Sequence, residues 1–221
     1  MKILMVDDHP LFLDGLALLF AQEFPEAELR VAHSLAGALS VLTTDSTIHW
    51  VLLDLGLPDS DGLHALRRVR ETSPEVACAV MSADERPATI LSAIDLGAAG
   101  FVPKTTRRGE LLRALRLMMG CGVYLPASVL AMRLGDTPPG VPMGTDSVES
   151  LGLSPRQGDV LRLLIEGKPN KAICRDLGLS ESTVKTHLAA IFRKLGANSR
   201  TQAVVAAARL GLRLQPSVSG G

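Results

Sequence analysis

Two hydrophobic rhythms alternate through the first 120 residues. Short apolar runs at 2–6, 28–32, 50–53, 77–81 and 100–102 read as strands. Between and after them, apolar residues recur every three to four positions at 11–24, 35–42, 62–71, 87–96 and 108–119, the mark of amphipathic helices. Phe12, Leu16, Leu19, Phe20 and Phe24 form the first such stripe. Five strands alternating with five helices predict an α/β domain with a doubly wound, five-stranded parallel sheet, because each helix must return the chain to start the next parallel strand.

The rhythm breaks after 120. Gly120, Gly122, Gly135, Pro138, Pro139, Gly140, Pro142 and Gly144 crowd a stretch of little periodicity, so 121–150 reads as a linker. From there to 213 the pattern is purely helical. One helix opens at Pro155 with the stripe Val160, Leu161, Leu164 and Ile165, and Gly167 stops it. A second runs from a cap at Asn170 to Leu177, and a third begins after the N-cap Ser180 with Val184, Leu188, Ile191 and Leu195 facing inward. An Ala-rich fourth covers 201–210. Two short helices joined across 177–180 make a helix-turn-helix pattern, so 151–213 is expected to be an all-α four-helix domain, with 214–221 a tail.

A chain of 221 residues suits two such domains. Its formal net charge of zero, from 23 basic and 23 acidic residues, taken whole argues against a nucleic-acid partner. Split by region, the count says otherwise. Residues 1–120 carry 11 basic and 16 acidic residues (net −5), 121–150 carry 1 and 3 (net −2), and 151–221 carry 11 and 4 (net +7). Cys78, Cys121 and Cys174 are odd in number and far apart, which indicates neither a disulfide framework nor a zinc site and suits a reducing compartment. With no basic n-region before an apolar run and no long apolar stretch, a cytoplasmic protein without membrane contact is expected.

Candidate chemistry gathers at one edge of the sheet. Asp7 and Asp8 follow the first strand, Asp54 the third, Ser82 ends the fourth and Lys104 follows the fifth. Parallel strands place these carboxyl ends side by side, where ligands of open α/β sheets bind. Three converging carboxylates repel unless a hard cation neutralises them, and Mg²⁺ suits an all-oxygen set that leaves room for a phosphoryl oxygen.

The pieces VDDHP, DLGLPDSDG, MSA and GAAGFVPK, in this order, resemble the flavodoxin-like receiver domain of two-component response regulators over 1–120. The resemblance implies that Asp54 accepts a phosphoryl group from a sensor histidine kinase, and that Asp7, Asp8, Asp54 and the Gly56 carbonyl serve the Mg²⁺ site. It further implies that Ser82 and Lys104 contact the phosphoryl oxygens and that Phe101 is the aromatic switch. Added charge at Asp54 would draw Ser82 and Lys104 toward it and let Phe101 turn beside Ser82. Gly56 is expected to leave the phosphoryl group open and Asp84 to orient a hydrolytic water. Asp59 and Ser60 make the same loop more acidic and polar. His9 and Pro10 are expected to set the entry to the first helix, and Cys78 to lie in the core.

In the second half, NKAI, LSESTVKTHL and KLGANSR resemble the DNA-binding domain of the LuxR, NarL and FixJ group. Gln157, Pro169 and Cys174 depart from its common residues without removing the scaffold. With the third helix's apolar stripe inward, Ser182, Thr186, Ala189 and Arg193 face out and Lys185 flanks them. Lys185 and Thr186 match the family's base-contact positions, and Ala189 leaves only apolar contact, as with a thymine methyl. Lys171, Ser182, Arg193, Lys194 and Arg200 are expected on phosphates. Partners implied are double-stranded DNA, a second copy of the chain on DNA, and RNA polymerase. The competing classes, a phosphohydrolase with an aspartyl-phosphate intermediate and a small-ligand sensor, lack a substrate-binding insertion and a ligand pocket respectively. A phosphorylation-controlled transcription regulator that catalyses only its own phosphoryl transfer and loss is the expectation.

Overall fold

The computed structural model describes residues 1–120, 123–126, 129 and 151–210. Most of the linker expected at 121–150, and the tail expected at 214–221, therefore lie outside the described residues. The chain divides into two compact units, Met1–Arg108 and Gly109–Gly221. The division falls in the first turn of the fifth helix.

The first unit runs β1 (Lys2–Val6), α1 (Pro10–Glu23), β2 (Glu28–Ala32), α2 (Leu35–Thr44), β3 (Ile48–Asp54), α3 (Leu63–Thr72), β4 (Ala77–Ser82), α4 (Pro87–Asp95) and β5 (Gly100–Pro103), with α5 (Arg108–Met119) following. All strand pairs are parallel in the order β2-β1-β3-β4-β5. Right-handed crossovers put α1 on one face of this sheet and α2, α3 and α4 on the other, because the chain steps outward from β1 to β2 and then reverses. In β1, Ile3, Leu4, Met5 and Val6 are all buried. Neighbouring residues in a strand point to opposite faces, so an unbroken apolar run means both faces are covered. The edge strand β2 instead exposes Glu28 and Arg30, whose side chains pair at 2.8 Å; charge on an edge discourages pairing with another chain.

In the second unit, α6 (Pro155–Ile165), α7 (Asn170–Leu177), α8 (Glu181–Leu195) and α9 (Arg200–Arg209) close over a core that includes Val160, Leu164, Ile173, Val184, Leu188 and Ile191. A reciprocal capping box starts α6: Ser154 Oγ accepts from Gln157 N, and Gln157 Oε1 accepts from Ser154 N. Gln157 thus fills the role a Glu would. Gly178 ends α7 and Gly196 ends α8 in the left-handed region, at φ 64° and 63°. Asn170 is not the cap of α7 that its residue type suggested; Pro169 takes that place, and Asn170 opens the helix with its Oδ1 accepting from Arg200 Nη1 at 3.2 Å. Cys174 packs, half-buried, against the core.

Candidate functional site

Strand register builds the acidic site. Val6 pairs with Leu53 and Asp54 pairs with Met81, so Asp7, the next residue after Val6, is level with Asp54 on the same side of the pleat. Between β1 and β3 the winding reverses, which makes this the topological switch point of the sheet. The Asp7 and Asp54 side chains are each 3% exposed, and Lys104 Nζ bridges them at 2.7 Å from Asp7 Oδ2 and 2.8 Å from Asp54 Oδ2. The Phe12 ring, from the first turn of α1, lies 5.0 Å from the same ammonium. Burial is the strongest single influence on Lys104 and disfavours its charge, but the hydrogen bonds to Asp54 and Asp7 and their Coulombic attraction together hold its ammonium above the ordinary lysine range.

Asp8 completes the cluster, and His9 joins it. His9 N donates to Asp7 Oδ1 at 2.9 Å, and its ring Nδ1 lies 3.0 Å from that oxygen. The same Nδ1 is 2.8 Å from Asp8 Oδ1. One ring proton cannot serve both, and the Asp8 contact lacks hydrogen-bond alignment, so Asp8 Oδ1 is buried without a donor. Single donor atoms of Asp7, Asp8, His9 and Asp54 all lie within 4.8 Å of one another. The three carboxylates make an oxygen set that fits Mg²⁺, with the orphaned Asp8 oxygen as its clearest vacant acceptor; the His9 nitrogen is foreign to that ion's preference. Sequence reasoning gave His9 only a loop role. It does precede α1, with Pro10 opening the helix, and its adjacency to two aspartates was the available signal for the rest.

The other expected residues surround the cluster. A Cβ on Gly56 would stand 3.2 Å from Asp54 Oδ2, so glycine leaves that carboxylate uncrowded. Ser82 is buried at the end of β4, with its Oγ accepting from Asp84 N at 3.1 Å and its carbonyl accepting from Lys104 N at 2.8 Å. Phe101 is fully buried, level with Val80.

Two acidic residues are committed elsewhere. Asp84, expected to orient water, accepts from Arg86 N, Nε and Nη2 and from Thr89 Oγ1. These bonds, from Arg86 first, hold its carboxyl well below the usual range and fill its acceptor sites. Asp59, which makes the loop after β3 more acidic, caps α2, its two oxygens accepting from Leu35 N at 2.8 Å and Ala36 N at 2.9 Å. Those backbone bonds lower its pKa.

The basic face lies on the second unit. Ser180 caps α8 by accepting from Thr183 N, and Val184, Leu188 and Ile191 are buried. That orientation leaves Ser182, Lys185, Thr186, Ala189, Arg193 and Lys194 exposed on α8, and Lys171 is exposed on α7. Lys194 Nζ also donates to the Gly152 carbonyl. Arg200 departs from its expected phosphate role. Its guanidinium turns inward and donates to Asn170 Oδ1 and to the carbonyls of Leu164 and Lys168; three acceptors fixed by the α6–α7 corner outcompete solvent for a half-buried fork of donors.

Residues 3–116 match the family described as response regulator receiver domain, and residues 151–207 match bacterial regulatory proteins of the luxR family. The chain is 32% identical over 214 residues to the glycerol metabolism activator of Pseudomonas putida, spanning 93% of this chain and 94% of the relative. It is 31% identical over 207 residues to the nitrate/nitrite response regulator protein NarL of Escherichia coli K12, spanning 92% and 93%. Among solved structures, a LuxR family DNA-binding response regulator from Silicibacter pomeroyi aligns with a TM-score of 0.52 at 30% identity, over 58% of this chain and 98% of that one. A receiver fold with its acidic cluster at the switch point, followed by a luxR-type helical unit, places the chain in the NarL/FixJ-type response regulators, to which it belongs.

Proposed function

We propose that this protein is a phosphorylation-controlled, DNA-binding transcription regulator of the cytoplasm, in which a sensor histidine kinase supplies the phosphoryl group. An oxygen of Asp54 attacks the phosphorus, the bond from phosphorus to the donor nitrogen breaks, and an aspartyl phosphate forms on Asp54. Lys104 is placed to balance the charge on the incoming oxygens, and Ser82 to donate its hydroxyl to them. Asp8, Asp54 and the Gly56 carbonyl, with Asp7 beside them, would hold Mg²⁺, which when bound supplies neutralisation of the charge on the transferring group. The protein turns over no external substrate.

The observation that carries this reading is the cluster of buried Asp7 and Asp54 bridged by Lys104, beside an Asp8 oxygen that accepts no hydrogen bond. On the second unit, α7 and α8 form a helix-turn-helix whose exposed face carries Lys171, Lys185, Arg193 and Lys194, the charge a phosphate backbone attracts. Phosphorylation promotes a homodimer that binds paired half-sites and contacts RNA polymerase. To test it, wild type and Asp54→Ala are incubated with a radiolabelled small acyl phosphate with and without Mg²⁺, and their DNA affinities are then compared. Label on wild type alone, dependent on Mg²⁺ and accompanied by tighter DNA binding, is expected. Equal labelling, or equal DNA affinity in every arm, would overturn it.

A further inference from the structure

The exposed face of α8 carries one feature that a phosphate-binding surface does not call for, an acidic residue at its leading end. Glu181 opens the helix, and its Oε1 lies 3.0 Å from Lys185 Nζ one turn on. A carboxylate there repels the DNA backbone, so its presence has to be explained. A helix-stabilising pair in the favoured Glu-to-Lys order is one explanation, and it is worth only a few tenths of what a base contact can contribute. The position gives another. The leading residues of a recognition helix are the ones that meet base edges.

The spacing of the pair matches the major-groove edge of a G·C base pair. There the guanine O6 acceptor and the cytosine N4 donor lie side by side at ordinary hydrogen-bond separation, about 2.9 Å. Lys185 has three N–H donors. One can stay on Glu181 while the others reach guanine O6 and N7. Glu181, holding one oxygen on Lys185, still has acceptor capacity for the second N4 hydrogen of cytosine. An A·T pair satisfies this arrangement less well, because thymine gives Lys185 a single acceptor.

Further along the same face the chemistry turns apolar. Thr186 Oγ1 donates to the Ser182 carbonyl at 3.0 Å, so its hydroxyl proton is committed to the helix. Thr186 then offers a base only an acceptor and a methyl group, and Ala189 offers a methyl group alone. Four residues of helix advance by about 6 Å, or roughly two base pairs.

Building on the DNA-reading role proposed above, we infer that Glu181 and Lys185 act together as a reader of one G·C pair, with Thr186 and Ala189 reading a thymine methyl roughly two pairs away. The test is selection from a randomised duplex library by the full chain treated with a small acyl phosphate and Mg²⁺. Wild type, Lys185→Ala, Glu181→Ala and Glu181→Gln are compared.

Wild type enriches a G·C pair and a thymine at this spacing. Glu181→Ala holds bulk DNA at least as tightly, having lost a negative charge, but accepts any pair at the G·C position, giving up a preference of about five- to 150-fold. Glu181→Gln keeps that preference through its amide oxygen, and Lys185→Ala loses both preference and affinity. Replacing the selected thymine by uracil, which removes only the methyl, weakens wild type about four-fold. The same G·C preference in Glu181→Ala would reduce the pair to a brace within the helix and overturn the inference, as would selection of A·T at that position. Failure of wild type to enrich any duplex would bring down the DNA-reading role itself, and this inference with it.

Discussion

Lys104 Nζ stands 2.8 Å from Asp54 Oδ2, so the residue proposed to stabilise a phosphoryl group already holds the proposed acceptor. Without that ammonium, the Asp7 and Asp54 carboxylates face each other almost out of contact with water. Lys104→Ala is expected to lose stability on the order of 3 kcal/mol near neutral pH, as when one partner of a buried pair is removed. Added Mg²⁺ should recover part of the loss. Because the folded ammonium is held above the ordinary lysine value, its contribution is complete below about pH 10 and fades as pH rises through the folded value. Urea unfolding of wild type and variant from pH 7 to alkaline pH should show the gap closing only in alkali.

Asp59 ties the loop after β3 to the start of α2. Asp59→Ala leaves Leu35 N and Ala36 N without that acceptor and should lower the thermal midpoint. The Asp59 pKa is depressed, chiefly by the Ala36 and Leu35 backbone bonds. The cap therefore contributes fully above the ordinary aspartate value and is lost as pH falls through the folded one. Midpoints of wild type and variant should converge only in acid. Mg²⁺ affinity, read by titration, should change little.

Arg200 and Lys171 should separate a scaffold role from the proposed DNA contact. Arg200→Ala removes donors to three acceptors at the α6–α7 corner, so it should lower the melting temperature of the helical unit. Lys171→Ala should leave melting unchanged and instead weaken DNA binding almost uniformly across sequences, reducing the salt slope by about one. Calorimetry and a salt titration of binding distinguish the two.

Cys78 and Cys174 should react differently. Complete burial pushes the Cys78 thiol up to about 12, so it has almost no thiolate at neutral pH. Cys174 is half-buried. Iodoacetamide labelling at pH 8 followed by peptide mapping should modify Cys174 in the folded protein and Cys78 only after denaturation.

Periodicity alone was enough for the order of strands and helices, for Asp54 at the end of β3, and for the inward stripe of α8. Neither a strand's parity nor a helix's face needs knowledge of distant residues, and a regional count of charged residues was enough for the charge split. Glycines and prolines mark where a chain can bend, whereas the division into compact units depends on which elements pack together; that division falls at the start of α5, while the receiver family match runs on to residue 116.

Side-chain commitments were decided by tertiary structure. Asp84 and Arg200 carry the residue types their expected roles required, and the sequence presents Asp59 only as an acidic addition to its loop. Each is drawn to a different partner: the amides opening α2, the Arg86 guanidinium, and the carbonyls of the α6–α7 corner. His9 goes the other way, from a loop residue to a member of the acidic cluster. The sequence determined which elements form and which residues end them, because those preferences are local. Only the folded chain decided which donor meets which acceptor, because a charged group takes the strongest partner within reach, and reach is set by loops and crossovers that bring together residues far apart in sequence.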